Sequence, residues 1–231
     1  MDYQEALDKY LVSQVSIYPP FFSPLWIKTS NFNPKIYAEN IFYYENVVFH
    51  PDQVLAAIEE SEIIIKDTDA IGKWQPWVGK DDIVLPDGRN SDYVFGETKT
   101  TNPKKYLTSS PAVQFAFGQI KNSLTFTTDH YASLLGIDPG KMSTIMISKY
   151  FTGAELGLHT DSYRDNAYLS AVLYLNDDYE GGEIVFPNQD VKIKPSAGSI
   201  IVFPSLEPFF HESLKVTSGE KYMCSVFLFK D

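Results

Sequence analysis

The stretch Glu183-Ile184-Val185-Phe186-Pro187-Asn188-Gln189-Asp190-Val191-Lys192-Ile193-Lys194-Pro195-Ser196-Ala197-Gly198-Ser199-Ile200-Ile201-Val202-Phe203 sets the reading of the fold. Its short apolar runs, Glu183 to Phe186, Val191 to Lys194 and Ser199 to Phe203, are separated by Pro-Asn and Ser-Ala-Gly turns. Branched and aromatic residues bounded by turn formers predict strands. The same texture continues upstream in Ser143 to Phe151 and Tyr168 to Asn176, and downstream in Glu212 to Val216 and Lys221 to Phe229. Strands this short and this regularly spaced predict a β-sandwich or barrel of the jelly-roll kind.

Ahead of residue 141 the pattern is different. From Pro51 to Ile63, Val54, Leu55, Ile58 and Ile63 alternate with acidic residues, which predicts an amphipathic helix with proline in its first turn. After Ser110-Pro111, Val113, Phe117, Ile120 and Leu124 fall on one helical stripe. A separate short helix is expected through Tyr131, Leu134 and Leu135, stopping at Gly136. The fold class is therefore mainly β with flanking helices (α+β). The polar stretch from Lys66 to Ser109 reads either as a substrate lid or as a poorly ordered insertion. Residues 1–40, rich in proline and aromatics, read as an arm packed on the body or a mobile tail.

Composition narrows the function classes. A chain of 231 residues with 44% hydrophobic content suits one sizeable core. The excess of 30 acidic over 19 basic residues, a net charge of −11, disfavours nucleic acid and anionic lipid surfaces as partners. The single cysteine, Cys224, excludes an intrachain disulfide and suits a reducing cytosol. The acidic start Met1-Asp2-Tyr3-Gln4-Glu5 is unlike a signal peptide, and no apolar window reaches membrane-spanning length. The expectation is a soluble, cytoplasmic protein; its oligomeric state is not legible.

The chemistry is carried by His159-Thr160-Asp161, answered about fifty residues later by His211. Two histidines and one carboxylate are what a non-haem Fe(II) oxygenase uses to hold its metal by one face. On a strand, residues two apart share a face, so His159 and Asp161 are expected to reach one metal. Alone, the pair is a weak signal, and an apolar setting such as Pro208-Phe209-Phe210-His211 also suits a core histidine.

Lys221 discriminates better. By strand parity it shares a face with Met223, Ser225 and Phe227, and a buried lysine among such neighbours requires an anion. That anion is an interior carboxylate or the far end of a dicarboxylate bound beside the metal. Tyr150 and Tyr174 are placed to donate phenolic hydrogen bonds to the same ligand, or to serve as core aromatics.

Together, Tyr150 through Asp161, Leu173-Tyr174-Leu175-Asn176, Glu180 through Pro187, Pro195 through Ser199, and His211 followed by Gly219-Glu220-Lys221-Tyr222 resemble the prolyl 4-hydroxylase-like Fe(II)- and 2-oxoglutarate-dependent dioxygenases. The resemblance covers roughly the last ninety residues. It implies a double-stranded β-helix core over 141–231, supported by helices and a lid loop over 41–140, as a single dioxygenase domain over 41–231. It further implies iron on His159, Asp161 and His211, and 2-oxoglutarate on Lys221, Tyr150 and Tyr174. O2 is the second cosubstrate and ascorbate an optional reductant. The expected reaction is hydroxylation of a peptide or small-molecule substrate, with succinate and CO2 as coproducts.

On the substrate side this chain departs from the family. Members acting on prolyl peptides carry Tyr, Arg and Trp where this sequence has Leu156, Ala167 and Phe227. Peptidyl proline is the family default; a free amino acid or small metabolite is the alternative. Arg164 is a candidate substitute cation or a solvated loop charge. Other classes remain open: a non-catalytic 2-oxoglutarate sensor of the same fold, and a zinc hydrolase, whose chemistry does not require Lys221. His50 and His130 lack ligand spacing to the triad.

Overall fold

A computed structural model describes residues 32–48, 50–66, 75–76, 94–95, 98–101, 111–163 and 167–230. Contact density divides the chain into Met1–Asn33 and Pro34–Asp231. Most of the segment read as an arm lies outside the described residues, as does most of 67–110.

In chain order the body holds β1 (Lys35–Ala38), β2 (Ile41–Tyr44), α1 (Pro51–Lys66), β3 (Gln75–Pro76), β4 (Val94–Phe95), β5 (Thr98–Thr101) and α2 (Pro111–Leu135). There follow β6 (Lys141–Met142), β7 (Met146–Tyr150), β8 (Glu155–His159), β9 (Ala167–Tyr174), β10 (Glu180–Gly181), β11 (Ile184–Phe186) and β12 (Val191–Ile193). The last strands are β13 (Ile200–Pro204), β14 (His211–Ser213), β15 (Val216–Ser218) and β16 (Lys221–Phe229). The mainly β class with flanking helices is as expected. Among the described residues, the larger sheet runs β1-β2-β13-β9-β16-β7-β5-β3, with β6 also on β16. The smaller sheet runs β12-β11-β14-β8-β4, and β10 pairs with β15.

The inner faces of the two larger sheets meet in one core. Tyr174, Val172, Ile201, Phe203 and Met223 come from one sheet, and Leu156, Ile184, Phe186 and Ile193 from the other. Burying a side chain of this size contributes about 1.5–3 kcal/mol. β9 and β16, the central pair, are buried along most of their length, which explains why they read as continuous apolar runs.

The helices differ from expectation in one respect. The two helices expected between Pro111 and Leu135 are one continuous α2. The interval between the two, 125–130, contains neither glycine nor proline, and the Thr127 and Thr128 hydroxyls bond back to carbonyls one turn earlier, Ser123 O at 2.8 Å and Leu124 O at 3.0 Å. Their polarity is thereby satisfied inside the helix. Phe117, Ile120 and Leu124 are buried as the stripe predicts, and Tyr131 packs edge-on against Phe42 of β2 with ring centroids 4.9 Å apart. Val54 and Ile58 of α1 are buried as well.

Two strand assignments also change. The expected Glu212–Val216 strand divides into β14 and β15, because Leu214 N turns to bond Glu183 O. Within the stretch read as a lid or insertion, β5 pairs with β7 and β4 with β8, so parts of it extend both sheets. Sequence patterning misses such short strands because each is only two to four residues long.

Candidate metal and 2-oxo acid site

His159 ends β8, and Asp161 opens the 3-10 turn Asp161–Tyr163. The expectation that the pair shares one strand face is therefore corrected: the chain leaves the strand at Thr160, and the turn brings the carboxylate back. β14 pairs antiparallel with β8 with His211 opposite His159, which brings the two imidazoles to a centroid separation of 4.3 Å. Ligand atoms of His159, Asp161 and His211 all lie within 4.8 Å of one another. Asp161 Oδ1 is 3.4 Å from His159 Nε2, and Oδ2 is 3.6 Å from His211 Nε2.

Each ring is oriented from behind. His159 Nδ1 donates to Gly157 O at 2.8 Å, and His211 Nδ1 donates to Phe209 O at 3.2 Å. A carbonyl only accepts, so Nδ1 carries the proton and Nε2 presents its lone pair to the cluster. Burial lowers the His211 pKa to about 4, with Asp161 opposing and His159 reinforcing the shift. Burial alone would raise Asp161; the two histidines and the Ser170 hydroxyl outweigh it and bring the pKa down to about 2. Two imidazoles and one carboxylate converging from one side fit Fe(II) by donor type and number.

The same cavity is also lined by Lys221, which is 0% exposed. Its Nζ donates to Gly182 O and to Ser213 Oγ, both at 2.7 Å. The rings of Tyr150 and Tyr174 flank the ammonium at 5.4 and 5.3 Å from their centroids. Among the described residues no carboxylate ion-pairs with Lys221. Burial first, and then the charge of Lys194, lowers its pKa to about 7, with Glu183 acting in the opposite direction from a distance. The two tyrosines are raised, chiefly by burial, and remain protonated donors. A cation held this way fits a ligand that brings its own carboxylate, as 2-oxoglutarate does.

The cavity encloses about 400 Å³. Lys221, Met223, Ser225, Phe227 and Phe229, alternate residues of β16, all line it, as strand parity predicts. Tyr174 belongs to the wall, whereas Tyr150 packs against Lys221 from outside it. Leu156, Ala167 and Phe227 also line the cavity, and Arg164 lies outside the described residues. His130 is engaged with the Tyr44 hydroxyl at 3.2 Å, away from the cluster.

Sequence reasoning overlooked Ser213, Ser170 and Gly182. Gly182 has φ +66°, and a Cβ there would stand 2.9 Å from the Tyr179 ring and 3.2 Å from Lys221 Cδ. Its signal was available in Gly181-Gly182, which reads only as a turn when strand partners are unknown.

Residues 145–229 match the 2OG-Fe(II) oxygenase superfamily. A PKHD-type hydroxylase of Prochlorococcus marinus (strain NATL2A) is 40% identical over 85 residues, which is 32% of this chain and 38% of that protein. Human prolyl 3-hydroxylase 2 is 44% identical over 64 residues, 26% of this chain and 9% of that protein. The chain spans about two fifths of the length of the first PKHD-type relatives it matches. In fold, it is similar to a Trichoplax adhaerens prolyl hydroxylase in complex with a hypoxia inducible factor peptide fragment. That match has a TM-score of 0.58 and 16% identity, covering 83% of this chain and 84% of that one. It is also similar to the 2OG complex of a viral collagen prolyl hydroxylase from Paramecium Bursaria Chlorella virus-1. Here the TM-score is 0.53 and the identity 16%, covering 83% and 97%. Residues 145–229, the part of the chain similar to the 2OG-Fe(II) oxygenase superfamily, thus contain the whole His–Asp–His cluster and Lys221.

Proposed function

We propose that this protein is an Fe(II)- and 2-oxoglutarate-dependent oxygenase that hydroxylates its substrate and releases succinate and CO2. The observation that carries the reading is Lys221: a fully buried ammonium without a carboxylate partner among the described residues, in the cavity that also contains the His–Asp–His cluster. His159, Asp161 and His211 would hold the iron, which when bound activates O2 against the 2-oxo acid. Lys221 would bind the far carboxylate, aimed by Gly182 O and Ser213, with Tyr174 donating its phenol and Tyr150 supporting the ammonium from behind. The apolar walls keep water from the reacting groups. In this reading the facing sheets are the double-stranded β-helix, residues 41–140 support it, and the protein works in the cytosol, where a free, buried Cys224 is at home.

The names of the relatives favour a prolyl peptide as substrate. The cavity wall adds a restriction. Lys221 is the only lysine or arginine among the described lining residues, and Leu156, Ala167, Phe227 and Phe229 are apolar. These apolar side chains suit an uncharged group at the position to be hydroxylated.

The test is anaerobic addition of Fe(II) and 2-oxoglutarate, which should produce a visible metal-to-ligand charge-transfer band, followed by succinate release in air. Iron-loaded protein without that band would overturn the proposal. A band without succinate across peptide and metabolite libraries would turn it toward a sensor, and full activity in Lys221→Ala toward a hydrolase.

A further inference from the structure

We infer that Ser205 and Ser170 form a two-hydroxyl relay that dictates which oxygen Asp161 offers to the metal. This rests on the Fe(II) reading above. Ser170 interrupts the apolar run Leu169-Ser170-Ala171-Val172-Leu173 at the centre of the larger sheet, and both serines are 0% exposed. A hydroxyl in such a place is costly unless it is bonded. Ser170 Oγ donates to Asp161 Oδ2 at 2.6 Å and lies 2.7 Å from Ser205 Oγ.

The direction of the chain follows from counting protons. A hydroxyl has one, and an ionised carboxylate only accepts, so the Ser170 proton is committed to Asp161. The contact between the serines must then run with Ser205 donating. Backbone pairing fixes both positions. Ser170 is opposite Phe203 in the β9–β13 ladder, and Ser205, just past the end of β13, donates its N–H to Tyr168 O at 3.0 Å.

The consequence concerns ligation. Both oxygens face the cluster, Oδ1 3.4 Å from His159 Nε2 and Oδ2 3.6 Å from His211 Nε2, but only Oδ2 is also held by the short, charge-assisted bond from Ser170. A carboxylate held at one oxygen is restrained to one-oxygen ligation, whereas one free to turn can offer both. One-oxygen ligation keeps open the metal positions that a chelating 2-oxo acid and O2 need. Ser170 and Ser205 are thus positioning residues, acting through Asp161.

Titration of the metal-free protein with Co(II), followed by its visible spectrum, tests this without turnover. Ser170→Ala should weaken Co(II) binding by about 10- to 100-fold, the usual cost of losing an outer hydrogen-bond partner, and should alter the spectrum. Ser170→Thr, which keeps the hydroxyl, should restore both. Ser205→Ala should show the same change at smaller amplitude. Native affinity and spectrum in Ser170→Ala would overturn the relay, as would loss of the metal-free fold in both alanine variants, which would assign the pair to the core. Failure of the native protein to bind Co(II), or unchanged binding in His211→Ala, would instead overturn the metal site itself.

Discussion

Two parts of the cavity wall bury charge, of opposite sign. At the His–Asp–His cluster Asp161 sits between His159 and His211 and accepts a hydrogen bond from Ser170, which orients the carboxylate without neutralising it. At the other part Lys221 has two neutral acceptors, a carbonyl and a hydroxyl, which orient the ammonium without neutralising it. The contrast teaches that two buried charges of opposite sign, each oriented but not neutralised by its neighbours, mark where a cation and an anionic ligand would complete the structure.

The largest break in this comparison should come from the His–Asp–His cluster. Asp161→Ala or His211→Ala is expected to cost more Co(II) affinity than the roughly 10- to 100-fold of an outer partner, and to abolish the charge-transfer band. Titration by absorbance checks this.

Next in size is Lys221→Met. Removing a charged donor should weaken 2-oxoglutarate binding by about 1.5–3 kcal/mol, read as an increased dissociation constant in the charge-transfer titration. The same variant should make the ligand-free protein more stable by about 1–4 kcal/mol, because an uncompensated cation is replaced by an apolar chain of similar length. A lower thermal midpoint would show that Lys221 is compensated after all.

Gly182→Ala should follow. It forces a side chain into left-handed backbone against Tyr179 and the Lys221 stem, with an expected stability cost of about 1–3 kcal/mol. It should weaken 2-oxoglutarate more than Co(II), which paired titrations would resolve.

The smallest effect is in pH. The folded Lys221 pKa of about 7 lies below its ordinary 10.5, so between these values the unfolded chain binds more protons. The Lys221 contribution to ligand-free stability therefore rises with pH across that window. Affinity for 2-oxoglutarate should move the other way, falling above about pH 7 by at most about tenfold per pH unit as the ammonium is lost. Lys221→Met should flatten both trends.

Individual residues show how far sequence reading reaches. His159 and Asp161 were readable from their one-residue spacing, and His211 and Lys221 as costly groups in apolar settings at telling intervals. The geometry assumed for His159 and Asp161 was nevertheless incorrect, since a 3-10 turn does the work assigned to strand parity. Ser213 and Ser170 were invisible because a serine in a strand has no signature until its partner across the sheet is known. Likewise the helices expected on either side of Thr127 and Thr128 are one, and the bonds of both hydroxyls to the preceding turn, which satisfy their polarity inside it, are not legible in the sequence.

Residue order along the chain was enough to establish strand-rich character, the period-two wall of β16 and the chemical types that converge on a metal and a diacid. Those depend on side-chain chemistry and local periodicity. The pairing of β14 with β8 that sets His211 opposite His159, the aiming of Lys221 by Gly182 and Ser213, and the direction of the Ser205–Ser170–Asp161 chain emerged from the fold. Each joins residues distant in sequence, and sheet register, which no short stretch of sequence encodes, sets which of them meet.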